Sequence, residues 1–526
     1  MPRLLLLLIV LIFSHTAFTQ VVYDRNEGAD VTKYTFRLSL NDSSNVISGE
    51  ATIDVTFSES PEKFKLDLIG SNGEYGMKIN EVREGESAAN WTFEEDEVII
   101  YPSNGASTAS FTICYSGIPE RGLVIDKTKF GKRSFFGDNW PTLARHWLPC
   151  VDHPYDKAAV EFQIHTPAHY DVVATGKKIE ESYITTGYKL TRYYEPAPVA
   201  TKVMTIGVCE FASEVLGYVD NIEISAWVYP ENRLEGFSDY AVAVEVMEYF
   251  IKNIGPYSYA KLANMQAKTQ WGGLENAGTI AYRESSVTGK NEVEGLIAHE
   301  IAHQWFGNSA SEDSWNHVWL SEGFATYFTI LYLENKYGDA TRRQELVKDR
   351  REIIEYYGKN PSSVVDYSIT DAMNVLSTNT YQKGGWVLNM LRHKIGDEVF
   401  WNGIRRYYVT YRNDNAVTED FQKIMEQVYG ESLEEFFRQW VYTVGYPELR
   451  TSWKYKKGKV MLKTQQVQDH FTFDFPLEIG LVYGEEIQKQ TITINSRSME
   501  FELPADTEPD NVIFDPDVWM LFKEVK

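Results

Sequence analysis

The run Asn291-Glu292-Val293-Glu294-Gly295-Leu296-Ile297-Ala298-His299-Glu300-Ile301-Ala302-His303-Gln304-Trp305-Phe306 is the segment from which the rest of the chain can be read. It predicts one helix over 291–306, opened by a capping box between Asn291 and Glu294 and ended by Gly307 and Asn308. At about 3.6 residues per turn, the four-residue spacing stacks the imidazoles of His299 and His303 on one face, about one turn apart. That is chelating geometry. Zinc takes imidazole nitrogen at about 2.0–2.1 Å and, in catalytic sites, uses three protein ligands with a fourth position open to water. Glu300 lies between the two histidines, so its carboxylate projects beside the open position and can serve as general base.

A third ligand must come from elsewhere. A three-imidazole site of the kind with a histidine six residues after the second is excluded, because Ser309 stands there and Phe306 takes the place of the glycine that site uses for its turn. Glu312 and Asp313 in the exit loop, His317, and Glu322 at the head of a second helical run over 321–337 are the candidates. Glu322 is favoured, since a carboxylate on a second, rigidly joined helix completes a His, His, Glu set. His317, inside Trp315-Asn316-His317-Val318-Trp319, reads as a packed, hydrogen-bonded histidine. An ion in such a site polarises a carbonyl and acidifies water, and Glu300 can take the released proton, which is the chemistry of amide hydrolysis. These residues alone select no donor for the developing oxyanion.

Around this centre the hydrophobic period changes twice. Upstream, from about residue 21 to 212, apolar residues alternate (Tyr34, Phe36, Leu38, Leu40; Ala51, Ile53, Val55, Phe57; Phe64, Leu66, Leu68) with turn signals such as Asn41-Asp42-Ser43 between runs. This predicts an antiparallel β domain of about 190 residues. Strand-like stretches persist to about Arg283, and 291–444 is helical, with segments at 340–357, 384–395 and 418–429. Alternation returns after Gly445-Tyr446-Pro447, in Trp453 and Tyr455, Val460 and Leu462, Ile492 and Ile494, and Met499, Phe501 and Leu503, predicting a small β domain. The fold class is therefore multidomain α+β, divided at 21–215, 216–445 and 446–526.

The 526 residues are 43% hydrophobic and 24% charged, a globular balance, and the formal charge of −24 repels nucleic acid and anionic lipid. Arg3, the apolar run from Leu4 to Phe13 and Ala17-Phe18-Thr19 read as a secretory signal over 1–20, so the chain is expected to be exported. No later apolar segment is long enough to span a bilayer. With only Cys114, Cys150 and Cys209, at most one disulfide can form, and three free thiols are equally compatible.

His299-Glu300-x-x-His303, eighteen intervening residues and Glu322 within Trp319-Leu320-Ser321-Glu322-Gly323-Phe324-Ala325 resemble the gluzincin metalloaminopeptidases, the aminopeptidase N and leukotriene hydrolase family. Trp271-Gly272-Gly273-Leu274-Glu275-Asn276-Ala277-Gly278 is similar to that family's exopeptidase motif, with Leu274 where methionine is usual. Ala144-Arg145-His146-Trp147-Leu148-Pro149-Cys150-Val151-Asp152-His153-Pro154 looks like a segment of its amino-terminal domain. The resemblance implies one zinc ion, peptides with a free amino terminus as substrates, a saddle-like β domain, a thermolysin-like catalytic domain and a small carboxy-terminal β-sandwich. It implies that Glu275 binds the α-ammonium, that Gly272 and Gly273 pair with the substrate backbone, and that Tyr381 donates its phenol to the oxyanion. It also implies a short form without the large helical domain of longer members, with a site that is more open or covered by a second subunit. Where members often carry Gln-x-Glu for the substrate amine, this chain reads Gly137-Asp138-Asn139-Trp140-Pro141, leaving Asp138 as a substitute or Trp140 as a reshaped wall.

Overall fold

Apolar alternation builds the amino-terminal part as expected. Tyr34, Phe36 and Leu38 on strand Ala29–Ser39 are buried, as are Ala51, Ile53, Val55 and Phe57 on Ile47–Phe57. Asn41 closes the turn between them by accepting from the backbone of Ser43 and Ser44 at 2.9 and 2.8 Å. The computed structural model describes residues 23–525 other than 60, 104, 106 and 470, and the expected leader at 1–20 lies outside them. An eight-stranded sheet dominates this part, with a four-stranded and a three-stranded sheet beside it. It is not wholly antiparallel. Ala29–Ser39 runs parallel to Lys157–Pro167, with Phe36 opposite Phe162. The two strands are far apart in the chain, so no tight hairpin dictates their direction.

The middle part opens on a five-stranded sheet in the order Ala212–Val219, Ile222–Val228, Leu262–Ala267, Thr279–Arg283, Gly273–Leu274, which leaves the short strand Gly273–Leu274 at one edge. Helices α1 (Arg233–Tyr240) and α2 (Ala243–Asn253) interrupt a stretch where strands were expected. Their β-branched and aromatic residues favour strands locally, but Val246, Met247 and Phe250 share one buried helical face, and burial wins.

Helix α3 is shorter than the pattern predicts, Glu294–Ala302, and its capping box does not form. Asn291 sits at φ +57° with its N–H on Asp239, while the Glu294 carboxylate accepts from Tyr332, Lys336 and Tyr337. Long-range partners have outcompeted the local cap. Helices α4 (Trp319–Tyr337), α5 (Asp339–Tyr357), α6 (Gly384–Ile395), α7 (Asp397–Tyr411) and α8 (Thr418–Tyr429) follow, and α5, α6 and α8 lie where helical periodicity placed them.

The last 80 or so residues form a four-stranded and a three-stranded sheet, as their alternation predicts. Leu462, Leu477, Ile479 and Leu481 from these sheets are buried in the same continuous core as the helices. The closing corner is fastened to the helical layer: Asp515 pairs with Arg350 at 2.8 Å, and Trp519 packs against the Arg342 guanidinium, 4.0 Å from its ring centre, and stacks with the His393 ring. All three cysteines are free, with Cys150 and Cys209 buried. Among the described residues no helix is long and apolar enough to cross a membrane.

Trp519→Ala removes both a stacked aromatic and a cation–π partner at this seam. It should cost about 2–4 kcal/mol in chemical denaturation, and an unchanged midpoint would show that the seam contributes nothing.

Candidate metal centre and active site

Helix α3 and the residue that ends it present His299 and His303 toward Glu322, which sits in the first turn of α4. The two imidazole Nε2 atoms are 3.1 Å apart, and Glu322 Oε2 lies 3.3 Å from that of His303 and 3.6 Å from that of His299. A tetrahedron with bonds of about 2.0–2.1 Å has edges of about 3.3–3.4 Å, so these three atoms fit one face of such a site. Glu322 Oε2 is buried and makes no hydrogen bond, leaving an acceptor that a cation would satisfy. His303 turns its other nitrogen to the Phe306 carbonyl at 3.2 Å and to Ser321 Oγ at 3.1 Å. An N–H donated to that carbonyl leaves the Nε2 lone pair for a metal. Among the described residues this is the one group of three or more His, Cys, Asp or Glu side chains that converges in this way.

The rival ligands are engaged elsewhere. Glu312 is paired with the buried Lys202, Asp313 with Arg25 at 2.6 Å, and His317 Nδ1 with Thr418 Oγ1 at 2.8 Å.

Glycines set the positions of the acid and phenol groups. A Cβ on Gly323, the residue after Glu322, would lie 2.8 Å from the Gly384 Cα, so α4 and the start of α6 meet backbone to backbone. That crossing brings in the π-helical turn Asn379–Lys383, whose Tyr381 ring lies parallel to His299 with centres 6.0 Å apart. Burial, and then the Glu322, Glu275 and Glu300 carboxylates, hold the Tyr381 phenol well above its usual range, so it stays a proton donor. A Cβ on Gly273 would stand 2.3 Å from Glu300 Oε1, so glycine is required there for Glu300 to reach the cleft. Gly273 lines the cleft from the sheet edge, whereas Gly272 does not, and its carbonyl accepts from the Arg283 N–H at 3.0 Å.

Glu275 faces the same cleft with its Oε1 buried and unpaired. Its backbone carbonyl is held by Gln304 Nε2 at 2.8 Å and Asn308 Nδ2 at 2.5 Å, which fixes the side chain's root and leaves the carboxylate free for a ligand. Asp138 does not join it. Its two oxygens accept from Thr269 Oγ1 at 3.0 Å and Trp271 Nε1 at 3.1 Å, and it lies behind the cleft wall. Trp140, by contrast, is in that wall, with Trp271, Leu274 and Leu376. Nothing in the spacing of Trp271 or Leu376 marks them as lining residues, and only the folded chain reveals them.

Three carboxylates thus share a cleft lined by no lysine or arginine among the described residues. Burial opposes protonation of His303, yet the carboxylates of Glu322, Glu275 and Glu300 push its imidazole up to about 9. Burial, reinforced by Glu275 and Glu322, pushes the Glu300 carboxyl well above its usual range. The arrangement favours a bound cation and gives Glu300 a high affinity for a proton.

Two family models match the chain: the Peptidase M1 N-terminal domain over residues 31–202 and the Peptidase family M1 domain over 239–440. Aminopeptidase M1 of Arabidopsis thaliana is 27% identical over 398 residues, covering 70% of this chain and 44% of that protein. Glutamyl aminopeptidase of Homo sapiens is 28% identical over 455 residues (80% and 48%), and probable aminopeptidase 2 of Sulfurisphaera tokodaii 27% over 405 (72% and 50%). The chain spans about half the length of these curated relatives.

Gly323→Ala forces a Cβ against backbone that cannot yield by a rotamer change. A loss of about 1–3 kcal/mol in chemical denaturation is expected, and a variant as stable as the parent would contradict the close crossing of α4 and α6.

Proposed function

This chain belongs to peptidase family M1, and on that premise we propose that it is a zinc-dependent aminopeptidase that removes residues one at a time from the amino ends of peptides. His299, His303 and Glu322 hold the ion. When bound, zinc polarises the scissile carbonyl and brings the acidity of water near neutral pH.

Each remaining role belongs to a side chain. Glu300 takes a proton from the attacking water and delivers it to the leaving amine. Tyr381, held protonated, donates its phenol to the oxygen that gains charge. Glu275 accepts from the substrate's α-ammonium, a charge-assisted bond strengthened by burial. The free edge of the strand at Gly273 aligns the substrate backbone. The observation that carries the reading is the unpaired, buried Glu275 carboxylate in the same cleft as the metal triad. An acceptor there favours chain ends over chain interiors.

The wider reading includes export directed by residues 1–20 and domains at 21–215, 216–445 and 446–526, the second thermolysin-like and the third a β-sandwich.

One peptide series, free and acetylated at the amino terminus, assayed with and without a chelator, tests this function. Chelator-sensitive, stepwise cleavage of the free series alone is expected. Internal cleavage of the acetylated series would replace the exopeptidase with an endopeptidase on the same metal site.

Glu300→Gln should keep about one zinc per chain by elemental analysis while turnover falls about 10²–10⁴-fold. Glu275→Ala should lower kcat/KM on free amino termini about 10- to 100-fold. Full turnover in Glu300→Gln would refute the mechanism.

A further inference from the structure

The wall of the cleft carries more information than its acid groups. The cavity is small, about 40 Å³. Beside Glu275 and the metal triad it is bounded by Trp140, Trp271, Leu274 and Leu376.

The two indoles are held from behind. Trp140 is 3% exposed and meets Trp271 and Trp315 edge to face, with ring centres 5.9 and 5.5 Å away. Trp315 is fully buried beneath the Lys202 ammonium, 5.5 Å from its ring centre, so it gives Trp140 no room to retreat. Trp271 has its indole N–H on Asp138 at 3.1 Å and its carbonyl on Arg283 Nε at 2.9 Å, which tether it at both ends. A packed aromatic wall of this kind does not open without breaking these contacts.

We propose that this wall restricts the first residue of the substrate to small side chains, of the glycine, alanine and serine class, and that Trp140 is the residue that sets the limit. The inference rests on the aminopeptidase reading above. Larger first side chains must displace an indole packed on two others, and each buried methylene mismatched to a pocket changes selectivity about 10- to 200-fold.

The test uses the zinc-loaded full chain and the 4-nitroanilides of glycine, alanine, leucine and phenylalanine. Wild type should give kcat/KM on alanine at least about tenfold above leucine and phenylalanine, and Trp140→Ala should raise the phenylalanine-to-alanine ratio at least about tenfold. Trp140→Leu, a smaller cut in the packing, should shift the ratio in the same direction, and melting curves with zinc content identify which variants are folded. Wild type that takes leucine or phenylalanine as fast as alanine overturns the inference without any variant. A wild-type ratio retained in a folded Trp140 variant removes the role of Trp140. If no free-amino substrate is hydrolysed and an acetylated peptide is cut, the aminopeptidase reading itself has failed, a result distinct from a wrong size limit.

Discussion

Three carboxylates, Glu275, Glu300 and Glu322, are buried in one cleft whose described lining has no lysine or arginine. An uncompensated buried carboxylate costs several kcal/mol, so a protein that gathers three must neutralise them with a bound cation, a proton or a ligand. The arrangement divides that task. Glu322 faces two imidazoles at metal-ligand spacing, Glu300 has its proton affinity raised, and Glu275 keeps an unpaired oxygen for a positively charged group. Burial, together with the negative field, also keeps the Tyr381 phenol protonated. On the proposed reading, one electrostatic condition thus prepares the metal, base, oxyanion and amine positions together.

The scaffold meets this condition through close backbone approaches. Gly273 lets Glu300 lie against the sheet edge, Gly323 and Gly384 let two helices touch, and Gly307 leaves room for Ser321, which contacts His303. The amino-terminal β part contributes more than a neighbouring surface. Lys157 donates to the carbonyls of Asn308, Ser309 and Asp414 at 3.2, 2.7 and 2.9 Å, clamping the loop that leaves α3. Asn308 in turn holds the Glu275 carbonyl, so a lysine on a strand of the eight-stranded sheet is linked through one loop to the backbone of Glu275. Trp140 reaches the cleft from the same part of the chain.

Features set by near neighbours were legible in the residues. The four-residue spacing of His299 and His303 is a property of any helix, and Glu322 followed because it heads the next helical run. Segments with a strong 3.6-residue period, α5, α6 and α8, appear where that period placed them. Short or mixed segments were not legible: α1 and α2 carry residues with strand preference, and the Asn291 cap was lost to Asp239 and to partners on α4. Tyr381 illustrates the same limit within the site. Its π-helical turn has no spacing signal, and family resemblance alone singled it out among 33 tyrosines.

By itself the sequence determined the helical segment that carries His299, Glu300 and His303, the alternation of β and helical parts, and the net charge of −24. These depend on periodicity and composition, which act over a few residues or over the whole chain without regard to fold. Only the tertiary structure decided that Ala29–Ser39 pairs in parallel with Lys157–Pro167, that Asp138 braces Trp271 instead of facing the cleft, and that Trp140 forms its wall. Each of those outcomes is a competition among partners distant in sequence, resolved by burial and backbone contact that no local pattern encodes.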